Sequence, residues 1–293
     1  MSAFMKVMFF SKNFEMANDA ISKLESLFDE MDKNKLAHGD VSDMTSHDID
    51  FSGVTFRYEE GVDVLTDFSL KLESGKKYAL VGSSGSGKST IAKLISGFYP
   101  VSSGELKIGG VDISKYKRET LEHEIAFVFQ NAKLFKTSIY ENVKIGRPDA
   151  SREEVVKALD LAMCGSILDK FETREDTIIG AKGVHLSGGE TQRIAIARAI
   201  LKDAPIIILD EASAASDPEN EYEMQQAFSK LMEGKTVIMI AHRLSSIRNV
   251  DEILVVEDGK VTERGSHDEL IVKDSKYKKL QNLYNQANEW RLS

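Results

Sequence analysis

The sequence holds a single cysteine, Cys164, which excludes any disulfide within the chain and fits a reducing compartment. Cys164 itself reads as a small, half-buried hydrophobe on a helix rather than a reactive thiol. Long apolar runs are also missing. No stretch approaches the roughly 20 residues that a membrane-spanning helix needs. The nearest, residues 3–10, contains Lys6 and has no cleavage-site pattern behind it, so it does not read as a secretory leader. The chain as given is therefore expected to be soluble or peripheral. Positive charge is in deficit: 38 Lys and Arg stand against 47 Asp and Glu, a net charge of −9. That balance argues against a nucleic-acid partner, which calls for a basic stripe. Internal repeats and low-complexity tracts are absent.

What is present is an ordinary globular composition, 42% apolar and 29% charged. The 293 residues suffice for one large domain with an extra segment, or for two small domains. Phe14, Ala17, Ala20, Ile21, Leu24, Leu27, Phe28 and Met31 recur at gaps of three and four, which is one face of a helix. The polar stretch after it, up to His47, predicts a linker, and a globular domain starts near Asp48. Ile49, Phe51, Val54, Phe56 and Tyr58 suggest a β pair, and residues 67–72 alternate cleanly. A buried strand at 77–81 runs into a Gly/Ser loop and then a helix from Lys88. The portion from about 135 to 185 is mostly helical by pattern, with helices at 152–163 and 166–170. After it come helix 190–201, strand 205–210, helix 219–232, strand 236–241 and a hairpin, 253–257 with 260–263, around Asp258-Gly259. The last 25 or so residues are helical and charged. Strand and helix alternate in the core, which predicts a parallel sheet with flanking helices.

Gly82-Ser83-Ser84-Gly85-Ser86-Gly87-Lys88-Ser89 matches the phosphate-binding pattern G-x-x-x-x-G-K-[ST]. Glycines let consecutive N–H groups point inward, and a helix starting at the loop's end adds its positive pole. Lys88 supplies a full charge to the β and γ phosphates, and the Ser89 hydroxyl is suited to Mg²⁺. The strand before the loop and the helix after it argue against a merely flexible Gly/Ser loop.

A second carboxylate pair closes the buried run Ile206-Ile207-Ile208-Leu209-Asp210-Glu211. Asp210 at the strand tip can hold Mg²⁺, directly or through water. Glu211, one residue on, can orient and polarise an attacking water. His242 comes just after the strand 236–241 and can hydrogen-bond a terminal phosphate oxygen. Taken alone, His242 would read as a capping or core histidine.

These residues, with Leu186-Ser187-Gly188-Gly189-Glu190, resemble the ABC ATPase family, whose signature is LSGGQ. The resemblance covers roughly residues 48–285. It implies an α/β P-loop NTPase: a RecA-like core with a parallel sheet, an antiparallel β subdomain and a helical subdomain at about 135–190. Residues 1–32 would be a helix resembling the cytoplasmic tail of a transmembrane domain, 33–47 a linker and 286–293 a tail. Further stretches resemble exporter sequences, namely 139–143 with Gly146-Arg147-Pro148, 177–183, 241–246 and 263–270. Tyr58 resembles the aromatic residue that stacks on adenine, and Gln130 the glutamine that contacts Mg²⁺ and the membrane domain.

The resemblance implies ATP and Mg²⁺ as cofactors and ATP hydrolysis as the reaction. Nucleotide contacts would come from Tyr58, Gly82, Ser83, Ser84, Gly85, Ser86, Gly87, Lys88, Ser89, Thr90, Gln130, Ser187, Gly188, Gly189, Glu190 and Asp217. The metal would be held by Ser89, Gln130 and Asp210, and catalysis would rest on Glu211, His242 and Lys88. The implied partners are a second nucleotide-binding domain, the same or different, and a transmembrane domain that places the chain on the cytoplasmic side of the membrane. Each ATP would lie between the P-loop of one copy and the signature of the other. Three positions depart from the family pattern: Glu190 for glutamine, Ala181 for glutamate and Ser216 for leucine. A non-transport ABC ATPase and a non-catalytic ATP clamp remain alternatives, opposed respectively by the lack of coiled-coil insertions and by the intact Glu211 and His242.

Overall fold

A computed structural model of the chain describes residues 3–33, 35–58, 61–180, 183–210, 218–241, 247 and 249–292. The chain opens with helix α1 (Ala3–Lys33), as the spacing predicts. Phe14, Ile21, Leu24 and Phe28 of its apolar stripe are exposed. The stretch expected as a linker is seated on the globular domain. Leu36 is buried, and Gly39 N–H and Val41 N–H donate to the Tyr116 and Lys115 carbonyls at 3.1 and 3.0 Å. A Cβ on Gly39 would come within 2.4 Å of the Lys115 oxygen, so the close approach needs glycine.

Strands β1 (Ile49–Phe56) and β2 (Leu65–Leu72) pair antiparallel. The register slips between Phe51 and Val54, where Gly53 takes φ 59°. That bulge explains why the apolar spacing in β1 departs from two, and it keeps Ile49, Phe51, Val54 and Phe56 all buried. Strand β3 (Lys77–Val81) leads through the Gly/Ser loop into helix α2 (Lys88–Ile95). Next come β4 (Ser103–Ile108), β5 (Val111–Asp112), α3 (Arg118–Glu124) and β6 (Ile125–Val128). The antiparallel sheet has the order β2-β1-β4-β5.

Helices α4 (Ile139–Lys144), α5 (Arg152–Leu161) and α6 (Gly165–Leu168) come after β6. Residues 171–180 and 183–185, within the portion expected to be mostly helical, form no α-helix and hold one 3₁₀ turn at Arg174–Asp176. The β-branched run Thr177-Ile178-Ile179 and the glycines at 180 and 183 disfavour helix there. Helix α7 (Gly188–Lys202) then runs to β7 (Ile206–Asp210), α8 (Pro218–Leu231), β8 (Thr236–Ile240), β9 (Glu252–Glu257), β10 (Lys260–Gly265), α9 (His267–Val272) and α10 (Lys276–Leu292). The β9–β10 hairpin turns on Asp258 and Gly259 at φ 46° and 70°, the twist a two-residue turn requires.

The second sheet has the order β10-β9-β3-β8-β7-β6, parallel from β9 to β6. Strands β3, β7 and β8 at its centre are apolar on both faces, as a covered parallel sheet requires, whereas the antiparallel edge strand β10 is polar. Tyr78, Leu80, Ile206, Ile208, Ile238 and Ile240 point into a core shared with α2 and the antiparallel sheet. Ala79, Val81, Ile207, Leu209, Val237 and Met239 point into a second core shared with α4 to α8.

Candidate functional site

The register of the parallel strands sets where the chemistry stands. Leu80 lies opposite Ile240, Ile240 opposite Asp210, and Leu209 opposite Val128. Val81, Ala241, Asp210 and Phe129 therefore leave the sheet along one carboxyl edge, the edge at which open α/β sheets bind ligands.

The Gly/Ser loop leaves that edge from β3. Gly82, Gly85 and Gly87 take φ 148°, 81° and 104°, values that L side chains rarely adopt. A Cβ on Gly82 would lie 2.1 Å from the Val256 oxygen, and one on Gly87 3.0 Å from Leu65 Cδ2. Gly259 N–H donates to the Ser86 carbonyl at 3.1 Å, tying the loop to the β9–β10 turn. Helix α2 has no side-chain cap at Gly87, whereas α4, α5, α7 and α9 are each capped by a serine. An uncapped helix start behind a left-handed glycine loop is a donor set that fits a polyphosphate.

Lys88 is buried, and its Nζ donates to Gly82 O at 3.1 Å, Ser83 O at 2.6 Å and Ser86 Oγ at 3.2 Å. Burial pushes the ammonium below the usual lysine range, and the Asp210 carboxylate pulls it partly back. Ser83, Ser84 and Ser89 are exposed or partly so, and Thr90 is buried. Ser89 and Asp210 offer the oxygen ligands that a hard divalent cation takes.

Tyr58 lies beyond the loop, 40% exposed, its hydroxyl 3.2 Å from Thr90 Oγ1. Its ring lies nearly perpendicular to those of Phe56 and Tyr99, with centroids 4.8 and 5.3 Å away. Lys93 Nζ is 5.5 Å from the ring centroid. Gln130 is exposed, just past β6. Glu211, Asp217 and His242, and the departures Ala181 and Ser216, lie outside the described residues.

Ser187, Gly188, Gly189 and Glu190 open α7 in a different place. Ser187 Oγ accepts from Glu190 N–H, and a Glu190 oxygen accepts from Ser187 N–H at 2.7 Å, a reciprocal cap. Ser187 and Gly188 are exposed, and Gly189 partly so. Helix α7 packs on α4, α5 and α8, on the sheet face opposite to α2. The signature thus does not share a core with its own chain's phosphate loop.

Three further features escaped the sequence reading. Glu190 accepts from Lys170 Nζ, and burial, which pushes its carboxyl up, is outweighed by Lys170 and the Ser187 N–H, leaving it below the usual range. Gln192 Nε2 donates to the Phe129 carbonyl at 3.4 Å, linking α7 to the residue before Gln130. Beside this link lies a groove of about 720 Å³ lined by Phe127, Phe129, Phe135, Ile145, Arg198 and Lys202. Phe127 and Phe129 stack on each other within it, and Phe98 stacks on both from outside its lining. No sequence period marks these side chains, because they come from separate loops and strands.

The family model described as ABC transporter matches residues 65–214, just over half of the chain. The chain belongs to the ABC transporter family. It carries an ATP-binding domain of that family, similar to those of ABC exporters. It is 46% identical over 237 residues to an ATP-dependent lipid A-core flippase of Pasteurella multocida, covering 80% of this chain and 41% of that protein. It is 44% identical over 238 residues to a Bacillus subtilis chain described as a putative multidrug export ATP-binding/permease protein, covering 81% and 41%. A solved bacterial Atm1-family ABC exporter with ATP bound matches with a TM-score of 0.80 and 32% identity, over 95% of this chain and 50% of that one. The ABC domain thus spans about two fifths of the length of these curated relatives.

Proposed function

We propose that this ABC domain powers export through a transmembrane domain, working as a head-to-tail pair on the cytoplasmic side of the membrane. The observation that carries the reading is the convergence of the 82–89 loop and Asp210 on one carboxyl edge. ATP is held by the loop's N–H groups and stacked on Tyr58. Lys88 exchanges its bonds to loop oxygens for stronger, charge-assisted bonds to phosphate oxygens. Mg²⁺, held by Ser89 and Asp210 with Gln130, would neutralise phosphate charge. Glu211 polarises the attacking water, and His242 and Asp217 complete the site.

The opposite placement of α2 and α7 supports sharing of each nucleotide between two copies. A helix start that shares no core with its own phosphate loop is free to meet another chain's phosphates, through Ser187 and the N–H groups after it. The groove beside Gln130 supports a docking place for the membrane domain. It exposes Phe129 and Phe135 while Gln192 ties its wall to the signature helix. A change at the nucleotide can thereby move a membrane contact.

Glu211→Gln tests the assignment. MgATP hydrolysis is expected to fall about 100-fold or more, a loss typical of removing a positioned base, while an ATP-bound dimer accumulates in light scattering. Full hydrolysis in that variant would end the catalytic assignment.

A further inference from the structure

A helix start that must attract phosphate is a poor place for an uncompensated carboxylate. The pole of a helix amounts to about half an elementary charge, so one bare acid in the first turn outweighs it. Glu190 stands in that turn, with its side chain only 9% exposed. One of its oxygens is used in the cap to Ser187 N–H, at 2.7 Å. The other accepts from Lys170 Nζ at 2.5 Å. Lys170 comes from the turn after α6, and its own side chain is 58% exposed, so it is held by this contact rather than by packing.

We propose that Lys170 is a positioning residue for ATP hydrolysis: by neutralising Glu190 it keeps the helix start at 187–190 attractive to the phosphates held by a second copy. The proposal rests on the shared-nucleotide arrangement above. It explains how the chain works with an acid where the ABC signature has glutamine. The cap is retained, because glutamate and glutamine both fill that place, and the extra charge is cancelled from a separate element.

The test is a double-mutant cycle on the full chain: wild type, Lys170→Met, Glu190→Gln and the double variant. MgATP hydrolysis and ATP-driven self-association are measured across ATP and salt concentration. Lys170→Met is expected to raise KM about three- to tenfold with a smaller change in kcat, the scale of one exposed charge contact near phosphates. The deficit shrinks at about 0.5 M salt, where exposed charges are screened. In the Glu190→Gln background, whatever its own rate, Lys170→Met adds no further loss. A role of Lys170 in folding alone would persist in both backgrounds and lower the thermal midpoint in both. Equal losses in the two backgrounds, or no loss with Glu190 present, overturn the proposal while leaving the exporter reading intact. A wild type that neither hydrolyses ATP nor self-associates with it overturns both.

Discussion

Gly82→Ala is the sharpest probe of how the phosphate loop is held. The residue sits at φ 148°, and an added Cβ would lie 2.1 Å from the Val256 oxygen. An ordinary C···O contact is about 3.3 Å, so the carbonyl or the loop must give by about 1 Å. The carbonyl cannot move alone. Val256 belongs to β9, which is paired with β10 at Val261, and its neighbour Val255 is paired with β3 at Val81. The cost has two parts: about 1–3 kcal/mol for an alanine in a backbone region reserved for glycine, and about 1–3 kcal/mol for overpacking. For a domain of this size about 2–6 kcal/mol lowers the thermal midpoint by roughly 5–20 °C. The loop shift also misaligns the N–H groups, so ATP affinity is expected to fall at least about tenfold, or about 1.4 kcal/mol. Scanning calorimetry and titration with a nonhydrolysable ATP analogue read the two effects. A midpoint within about a degree of wild type, with unchanged nucleotide affinity, would refute the reasoning that this turn requires glycine.

Three other outcomes are expected. Lys88→Met should reduce ATP affinity about 100-fold or more without lowering the thermal midpoint, because it removes a buried charge. The folded-state pKa of Lys88 is depressed by burial, so the unfolded chain binds more protons in the window between the folded and ordinary lysine values. Stability from this group rises with pH through that window, and urea titrations across alkaline pH should lose that slope in the variant. Cys164 is fully buried and its thiol is pushed up to about 12, so it should resist thiol reagents at pH 8 and react only on unfolding.

The sequence made the nucleotide edge legible because each piece of it is local. The glycines, Lys88 and Ser89 are contiguous, and a buried strand precedes both the loop and Asp210. The hairpin at Asp258-Gly259 was legible for the same reason. Features that depend on distant partners were not. The stretch to His47 has a linker's composition, yet it is held by carbonyls at Lys115 and Tyr116 that no local pattern announces. Strands β4 and β5 and helix α3 went unread, the strands because Gly104, Gly109 and Gly110 break the alternation. Glu190 stood out as a departure, but the lysine that answers it lies in a turn, and only the fold brings the two together.

The two-faced parallel sheet has a consequence for how this chain tolerates change. Neighbours in sequence such as Ile207 and Ile208 are strangers in packing, each filling a different compartment on its own side of a common partition. The compartment under α2 and the antiparallel strands anchors the nucleotide loop. The other, under α4 to α8, carries the helix that opens at 187–190 and lies beside the groove at Phe129 and Phe135, the surfaces proposed above to meet a second copy and a membrane domain. On that proposal, residues on the second side can be rebuilt for a new partner while the footing of the phosphate loop stays as it was.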